Sequence, residues 1–408
     1  MNVTAPTSAR VQRAKWGLRA TFFFMGVAVA ATSARFAEIK GNAHTSDAIF
    51  GYCIMVGNLG SIFGNFFGTR MSRKIGTRRT AQLIMIGVAG SQIAYGFVNR
   101  IWEIPFVAFA AGASYSLMNI ACNAQGSMIQ ESVGRSLMPS FHGSWSIGAC
   151  SASLMAGAIA KYVPVEWDLL GNSFIALFGC LMVSRALLPF SADQHDAIKN
   201  SEVPHDVRIP PNIKNFILMV AIGSFLATIA ETSVGDWSSI YLKEDLHLPI
   251  GINTLGYTCF VLAQILGRFS VGRLIDLYGI PLVIRVGGLV GGFGYLIGLI
   301  IANIERTNHQ YIALIVMCIS YAVLGLGVSP MPPSYVSVAG SIPGIPTARA
   351  LTRLAVISST GFFVGRFIIS SFAGLFGLPT ALLFPATALI GSGVLAYYLD
   401  VKRIENTV

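Results

Sequence analysis

The sequence predicts an all-α membrane protein with twelve transmembrane helices arranged as two six-helix bundles. First, hydrophobic residues make up 54% of the chain and charged residues 11%, and the apolar residues are concentrated in long runs. These runs are about twenty residues long, which a helix needs to cross roughly 30 Å of hydrocarbon. Second, one long polar connection, Ser191 to Pro211, divides the runs into two sets of six. Third, the two sets resemble each other after a shift of half the chain.

Charged residues and Gly/Pro-rich segments separate the predicted spans from one another. The spans lie near residues 17–38, 47–70, 80–99, 102–128, 138–162, 168–190, 213–242, 252–274, 280–302, 310–329, 348–375 and 377–400. They define an N-terminal bundle at 1–190, a polar loop at 191–212 and a C-terminal bundle at 213–408.

The first span follows Arg10, Arg13 and Lys15, and this order of charge and apolar run is also typical of a signal peptide. The run is longer than the apolar part of a usual signal peptide. Its removal would also leave an odd number of spans. We therefore interpret it as an uncleaved transmembrane helix.

Positive charge is distributed unevenly between the two sides of the predicted spans. The side opposite the termini holds Lys40, Arg100, Lys161, Lys243 and Arg306. Three more arginines fall within spans, and all other Lys and Arg residues lie in the termini or in loops on their side. Because cytoplasmic loops retain positive charge, we expect both termini and the long loop to be cytoplasmic, in a bacterial inner membrane. The net charge of +10 therefore reflects topology and does not indicate a nucleic-acid partner.

A strongly basic stretch, RMSRKIGTRR, is predicted to form the turn between the second and third spans, at residues 70–79. A weaker copy of it recurs 203 residues later, where Arg70 matches Arg273 and Gly76 matches Gly279. The shift places the second span on the eighth, as two related six-helix halves require.

The second copy contains the pattern G-x-L-x-D-x-x-G, formed by Gly272, Leu274, Asp276 and Gly279. With twelve spans and the repeat, it resembles the turn after the second helix of each half in the major facilitator superfamily. In the first copy Gly76 and the basic residues Arg78 and Arg79 agree with the family pattern, but Arg73 stands where the acid is expected. The charge contact that this acid makes with helix 11 in the family is therefore not expected here.

Further stretches resemble one branch of that superfamily, the MosC/YbjJ-like branch. These are the segment from Asn123 to Gly148, the sequence ARFAEIK at the end of the first span and ETSVGDWSSIYL at the end of the seventh. The resemblance implies a transporter that works by rocking two bundles, and it links the substrate to polyols and inositol-like compounds.

The resemblance also implies a gate on the cytoplasmic side. The acid of the motif in the family contacts the start of a helix in the other half, so we expect Asp276 to meet Arg135 in outward-open states. The residues assigned to this gate are Arg73, Gly76, Arg78, Arg79, Arg135, Gly272, Asp276 and Gly279.

Charged side chains inside predicted spans are candidates for function, because burying a charge in a bilayer costs several kcal/mol unless it faces a cavity or a partner. Glu231, Arg366 and Arg35 lie at similar depth. We expect Glu231 to line a cavity, to carry a proton and to pair with Arg366 or Arg35; a static ion pair is the alternative. Asp236, which precedes Trp237, and Glu38 are interpreted as solvated acids at the outer rim.

Polar residues with helical spacing suggest a substrate site on the fourth, fifth and eighth spans. Asn119 and Asn123 are four residues apart, and His142 and Trp145 are three apart, so each pair shares a helix face. Amides suit hydroxylated substrates and an indole can stack on a sugar ring or cyclitol. Hydrogen bonds between helices are the alternative for the amides and for His142, which could otherwise carry protons.

Gln264 and Arg268 on the eighth span also share a face through a spacing of four residues. Arg268 could neutralise an anionic substrate or pair with an acid of the neighbouring half. The intramembrane arginines at least balance the intramembrane acids, which allows an anionic substrate and argues against a bulky cationic drug.

Proline and glycine suggest where helices stop or approach closely. The segment SPMPPSYV, with Pro330, Pro332 and Pro333, predicts an unwound end of the tenth span, either a hinge or a simple stop. Gly143, Gly148, Gly361 and Gly365 predict close helix contacts in the fifth and eleventh spans.

No enzyme signature is present in the sequence, and no cofactor or metal is expected. The chain lacks G-x-x-x-x-G-K-[ST], so ATP is not the expected energy source. Its six cysteines lie in apolar segments without a C-x-x-C pair. We expect a monomeric secondary transporter for a sugar, polyol or cyclitol-like solute, coupled to protons and embedded in the lipid bilayer. An exporter of small toxic compounds and a transporter-like receptor that binds without transport are the alternatives.

Overall fold

The structure is a computed structural model that describes residues 8–134, 137–193, 211–340, 342 and 347–399. All regular elements within these ranges are helical, which confirms the predicted fold class. Nine helices of the described part of the chain are long and apolar enough to cross a membrane.

The first compact unit contains the described residues up to Thr45 and those from Tyr52 to Asp193, which we call unit 1. Its helices are α1 Ser8–Ala34, α2 Phe36–Asn42, α3 Asp47–Ile75, α4 Thr77–Gly96, α5 Glu103–Val133, α6 Met138–Ile159 and α7 Val165–Val183. A short 3₁₀ turn, Ser184–Ala186, follows α7. The first residues of α3 belong to the second unit.

The second compact unit contains Ser46–Gly51 and the described residues from Pro211 onward, which we call unit 2. Its helices are α8 Pro211–Glu244, α9 Leu255–Tyr278, α10 Ile280–Glu305, α11 Gln310–Val328, α12 Met331–Gly340, α13 Thr347–Phe376, α14 Leu378–Ala381 and α15 Leu383–Leu395. Large apolar side chains cover the outer surfaces of both units, as is usual for helices that face lipid.

Several helix boundaries differ from the sequence prediction, including the ends of the first and tenth spans. The first span was predicted to continue to residue 38, but α1 ends at Ala34 and α2 restarts at Phe36. The segment SPMPPSYV was predicted to unwind, yet α12 begins at Met331 after a two-residue turn. Pro332 and Pro333 therefore occupy the first turn of a new helix, where backbone N–H groups have no intrahelical acceptor and proline is tolerated.

The basic stretch at 70–79 is not a loop, because α3 continues to Ile75 and α4 begins at Thr77. Gly76 alone forms the turn, with φ 87° and ψ 151°. Gly279 joins α9 to α10 with nearly the same angles, φ 78° and ψ 157°. Only glycine adopts these angles without strain, so both halves repeat the turn for a backbone reason.

Helices α1 and α6 pack with their backbones in contact at two glycines. A Cβ atom at Gly26 would overlap the carbonyl of Trp145, and one at Gly148 would overlap the carbonyl of Phe23. In unit 2, Gly361 and Gly365 of α13 face α8 less closely, with Cβ positions 3.0 Å from Phe225 and Ile229 atoms. Small residues let membrane helices approach in this way.

We expect Gly148→Ala to lower the free energy of unfolding by about 1–3 kcal/mol, because the added methyl group meets backbone atoms that cannot rotate away. Thermal unfolding in detergent measures the effect. The matched control is Gly171→Ala on α7, where a Cβ meets nothing within 4 Å. Equal melting temperatures for the two variants would show that the close contact is not needed for stability.

Candidate functional site

The polar cluster of unit 2 forms around Glu231 in the middle of α8. Gln264 Nε2 donates a hydrogen bond of 2.6 Å to Glu231 Oε1, and Arg268 Nη2 donates one of 3.2 Å to the same oxygen. Both donors lie on α9. They reach the same carboxylate oxygen because residues four apart share a helix face. Among the described residues, no hydrogen bond reaches the second carboxylate oxygen, Oε2. The carboxylate therefore keeps one acceptor for a proton or a ligand.

The Glu231 cluster combines a buried amide with partly accessible charges. Gln264 is 1% exposed, whereas the side chains of Arg268 and Glu231 are 14% and 27% exposed. The predicted pairing of Glu231 with Arg366 or Arg35 is wrong. Arg268 was predicted to meet a substrate or an acid of the neighbouring half, but its acid lies in its own half.

Arg366 of α13 binds Asp236 of α8 through two hydrogen bonds. The distances are 2.6 Å from Nε to Oδ2 and 2.9 Å from Nη2 to Oδ1. Asp236 is 5% exposed, so its interpretation as a solvated rim acid is wrong. Trp237, predicted beside it at the membrane interface, is fully buried. The bidentate pair joins two helices and leaves little of the carboxylate accessible.

Arg35 lies at the break between α1 and α2 and is fully buried. Its Nη1 binds Asp168 Oδ2 at 2.9 Å, its Nη2 binds the Val163 carbonyl at 2.9 Å and its Nε contacts Glu38 Oε2 at 2.8 Å. Asn172 donates a further bond of 2.6 Å to Asp168. Glu38 was interpreted as a solvated rim acid, and this interpretation is wrong because the arginine holds its carboxylate.

Sequence reasoning missed Asp168, the first residue of the predicted sixth span, which was not among the proposed site residues. The spacing of four residues between Asp168 and Asn172 was a usable signal, since it puts an acid and an amide on one helix face. The buried ion pair fixes the end of α1 against α7.

The polar residues of α5 and α6 in unit 1 differ in the partners that their side chains contact. Among the described residues, Asn119 donates only to the carbonyl of Tyr115 in its own helix, at 3.4 Å. His142 meets the ring of Phe22 edge-on, with centroids 5.2 Å apart. Asn123 Oδ1 and Trp145 Nε1 are buried atoms that have no hydrogen-bond partner among the described residues. The expected hydrogen bond from another helix to the Asn123 carbonyl is thus absent there.

Gln125, close to Asn123 in sequence, has a structural role. Its side chain is fully buried and exchanges hydrogen bonds of 2.9 and 3.0 Å with the backbone of Leu188. It also donates to the hydroxyl of Thr77 at 2.6 Å. Buried amides with all these partners stabilise a fold and are not free to bind a substrate.

The residues assigned to the gate lie at the ends of α3, α4 and α9. Arg73, Arg79 and Asp276 are exposed and Arg78 is half-buried. A Cβ at Gly272 would meet nothing within 4 Å. Arg135 lies outside the described residues, so its contact with Asp276 stays a prediction.

A cavity of about 870 Å³ opens at one end of unit 2, away from the Glu231 cluster. It is formed by the end of α8 and the connection between α10 and α11, including Glu244, His247 and Arg306. Thirteen residues of helix separate Glu231 from Glu244, which corresponds to about 20 Å. The cavity is therefore not part of the site around Glu231.

Sequence comparison decides the family. The Major Facilitator Superfamily model matches residues 17–343 and 220–407. The chain belongs to the major facilitator superfamily. This membership identifies it as a membrane transport protein and not an enzyme, and it confirms the family recognised from the glycine motif.

Curated relatives place this superfamily member near MosC. It is 25% identical over 88% of its length to the uncharacterized transporter y4wD of Sinorhizobium fredii, of which 90% is covered. It is 26% identical over 89% of its length to membrane protein MosC of Rhizobium meliloti, with 84% covered. An uncharacterized transporter of Yersinia pestis is 23% identical, over 89% of this chain and 90% of its own length. The MosC-like branch is thus supported.

Two solved structures show the same fold. A point mutant of the nucleoside transporter NupG superimposes with a TM-score of 0.74 at 11% identity, covering 95% of this chain and all of NupG. A second NupG structure gives a TM-score of 0.69 at 13% identity and 98% coverage of both chains.

Proposed function

We propose that this superfamily member is a proton-coupled secondary transporter for a small polar solute of the sugar, polyol or cyclitol class. We further propose that it resides in a bacterial inner membrane as a monomer with both termini in the cytoplasm. The observation that carries the coupling role is the open Oε2 of Glu231 in a carboxylate otherwise held by Gln264 and Arg268.

The proposed proton coupling is supported by the charge balance of the Glu231 cluster. The ionised carboxylate neutralises Arg268 and accepts the Gln264 amide. Protonation would remove that neutralisation, because a neutral carboxyl group pairs weakly with a guanidinium. The Arg268 guanidinium would then bind another acceptor, such as a substrate oxygen. Proton and solute would thereby influence each other's binding free energy, as coupling requires.

The substrate class is supported by two buried polar atoms, one on α5 and one on α6, that have no hydrogen-bond partner among the described residues. They are the acceptor Asn123 Oδ1 and the donor Trp145 Nε1. Buried polar groups that lack a partner are costly, and a hydroxylated solute supplies both donors and acceptors. The indole also provides an apolar ring face suited to a sugar or cyclitol.

The first test is a thermal-shift screen of the purified full chain, followed by uptake into proteoliposomes for each ligand that stabilises it. The panel contains sugars, cyclitols, nucleosides, small organic acids and cationic drugs at two pH values. A ligand that binds only the folded state raises the melting temperature by mass action. Stabilisation by polyols with uptake would support the proposal. Stabilisation by drugs alone would indicate an exporter, and binding without uptake would indicate a receptor.

We expect Glu231→Gln to lower proton-driven accumulation of the solute by about 5- to 150-fold, the range of a coupling free energy of 1–3 kcal/mol. Exchange of labelled for unlabelled solute, which needs no net proton movement, should persist and lose its pH dependence. The matched control is Glu244→Gln, which removes an exposed acid from the end of the same helix. Unchanged accumulation and pH dependence in Glu231→Gln would refute its coupling role.

A further inference from the structure

Five arginines from three separate elements meet at one end of unit 1. They are Arg10, Arg13, Arg78, Arg79 and Arg185, and we call them the arginine cluster. The first two lie in the first turns of α1, the next two at the start of α4 and the last in the 3₁₀ turn after α7. Arg10, Arg13, Arg79 and Arg185 are exposed, and Arg78 is half-buried. None of these side chains belongs to the Glu231 cluster or to the polar residues of α5 and α6.

Close backbone packing brings α1 onto the turn that carries Arg185. A Cβ at Gly17 would lie 2.7 Å from Ala186 Cβ and 3.0 Å from the Val183 carbonyl. Arg10, Arg13 and Gly17 follow helical spacing, so they lie along one face of α1. The face that packs against Ala186 is therefore the face that presents the two arginines.

Hydrogen bonds, some of them buried, hold the start of α4 in the same place. Asp193 accepts from the Thr77 backbone N–H at 3.1 Å and from its hydroxyl at 2.7 Å. Gln125 donates to Thr77 and also binds the backbone of Leu188, three residues after Arg185. Thr77 directly precedes Arg78 in the chain, so these bonds fix the position of the half-buried arginine.

The arrangement concentrates like charge. Arg10, Arg13, Arg185 and Arg79 all lie close enough to Arg78 to act on it by Coulomb repulsion. A folded chain holds several guanidinium groups together at a cost, and an anion that binds among them would remove that cost.

The surroundings of the arginine cluster indicate where that anion lies. Trp16, three residues after Arg13, is 63% exposed. Arg19 lies over its ring at 4.6 Å and Lys15 at 5.9 Å. An exposed tryptophan with basic neighbours at the end of a membrane helix is typical of the headgroup level of a bilayer. At that level the abundant anion is a lipid phosphate.

We propose that the arginine cluster binds the phosphate of an anionic phospholipid headgroup. The guanidinium group of arginine binds two phosphate oxygens at once. Because hydrogen bonds already hold the elements that carry these arginines, little conformational entropy is lost when the phosphate binds. The lipid thereby stabilises the packing of α1, α4 and the 3₁₀ turn against one another.

The test uses the purified full chain, delipidated in detergent, with phosphatidylglycerol or phosphatidylcholine added. Bound lipid is counted by native mass spectrometry, and stabilisation is followed by thermal unfolding. The test variant is Arg13→Gln/Arg185→Gln, which removes two exposed charges from the cluster. The matched control is Arg100→Gln/Arg306→Gln, which removes two exposed arginines elsewhere on the chain.

We expect phosphatidylglycerol to bind the test variant about 25-fold more weakly than the parent, from about fivefold for each arginine near an anionic surface. The control double variant should bind as the parent does, and phosphatidylcholine should bind none of the three specifically. Lipid-free melting temperatures establish that both variants are folded.

Two results would overturn the proposal. Equal phosphatidylglycerol affinity in the test and control variants would show that the arginine cluster is not the binding site. Full replacement of the lipid effect by inorganic phosphate would assign the cluster to a free anion. If the double variant does not fold, Arg185→Gln alone, compared with Arg306→Gln, gives the same comparison at about fivefold.

Discussion

Arg35→Met is expected to lower the free energy of unfolding by about 3–5 kcal/mol, the largest effect that we predict for a single substitution. Methionine is an apolar side chain of similar length to arginine, but the substitution leaves the Asp168 carboxylate buried without its cation. That carboxylate side chain is 0% exposed, so water cannot replace the guanidinium. The Val163 carbonyl loses its donor in the same step.

Chemical unfolding in mixed micelles measures the loss, with a second substitution as the decisive comparison. Arg35→Met/Asp168→Leu should recover at least about 2 kcal/mol, because replacing a whole buried ion pair by apolar groups is often nearly neutral. Arg100→Met, which changes an exposed arginine of the same unit, should stay within about 0.5 kcal/mol of the parent. A double variant as unstable as the single one would show that the pair is not the source of the loss.

Asp236→Asn is expected to destabilise the chain by about 3 kcal/mol, at the lower end for a buried pair because Arg366 keeps 20% of its side-chain surface exposed. The substitution removes the acceptor charge that the arginine binds with two hydrogen bonds. It should leave the pH dependence of transport unchanged, since the proposed proton carrier is Glu231. Thermal unfolding and exchange assays on the same preparation test both statements.

The contrast with Glu231→Gln makes this prediction specific. Glu231→Gln should alter pH dependence with little loss of stability, because its carboxylate is partly accessible and keeps an amide partner. Asp236→Asn should lower stability and leave the pH dependence unchanged. Glu244→Gln, on the same helix, should change neither stability nor pH dependence. Loss of pH dependence in Asp236→Asn would transfer the coupling role to that residue.

The helices were readable from the sequence, but the ion pairs were not. Apolar runs and glycines reflect local requirements of a membrane helix or a turn. These requirements do not depend on which helices lie next to each other. Pairing Glu231 with Arg366 relied on depth alone. Five residues separate Glu231 from Asp236, which turns their side chains about 140° apart around α8. One therefore faces α9 and the other α13, and the identity of those neighbours is not a local property.

Asp168 illustrates the same limit at a helix end. It is the first residue of the predicted sixth span, and an acid is common in the first turn of a helix, so its presence there does not indicate a partner. Only the packing of α1 against α7 brings it to Arg35. For Asn123 and Trp145 the helical spacing was readable, whereas their lack of partners among the described residues depends on which helices surround them.

The one-residue turn at Gly76 has a mechanical consequence. A flexible loop absorbs the displacement of one helix before its neighbour responds, but a single residue has only two rotatable backbone angles. Thr77, on its far side, is anchored by hydrogen bonds to Asp193 and Gln125. A displacement at this end of α3 therefore reaches the anchored start of α4 through one residue, with no loop between them to absorb it.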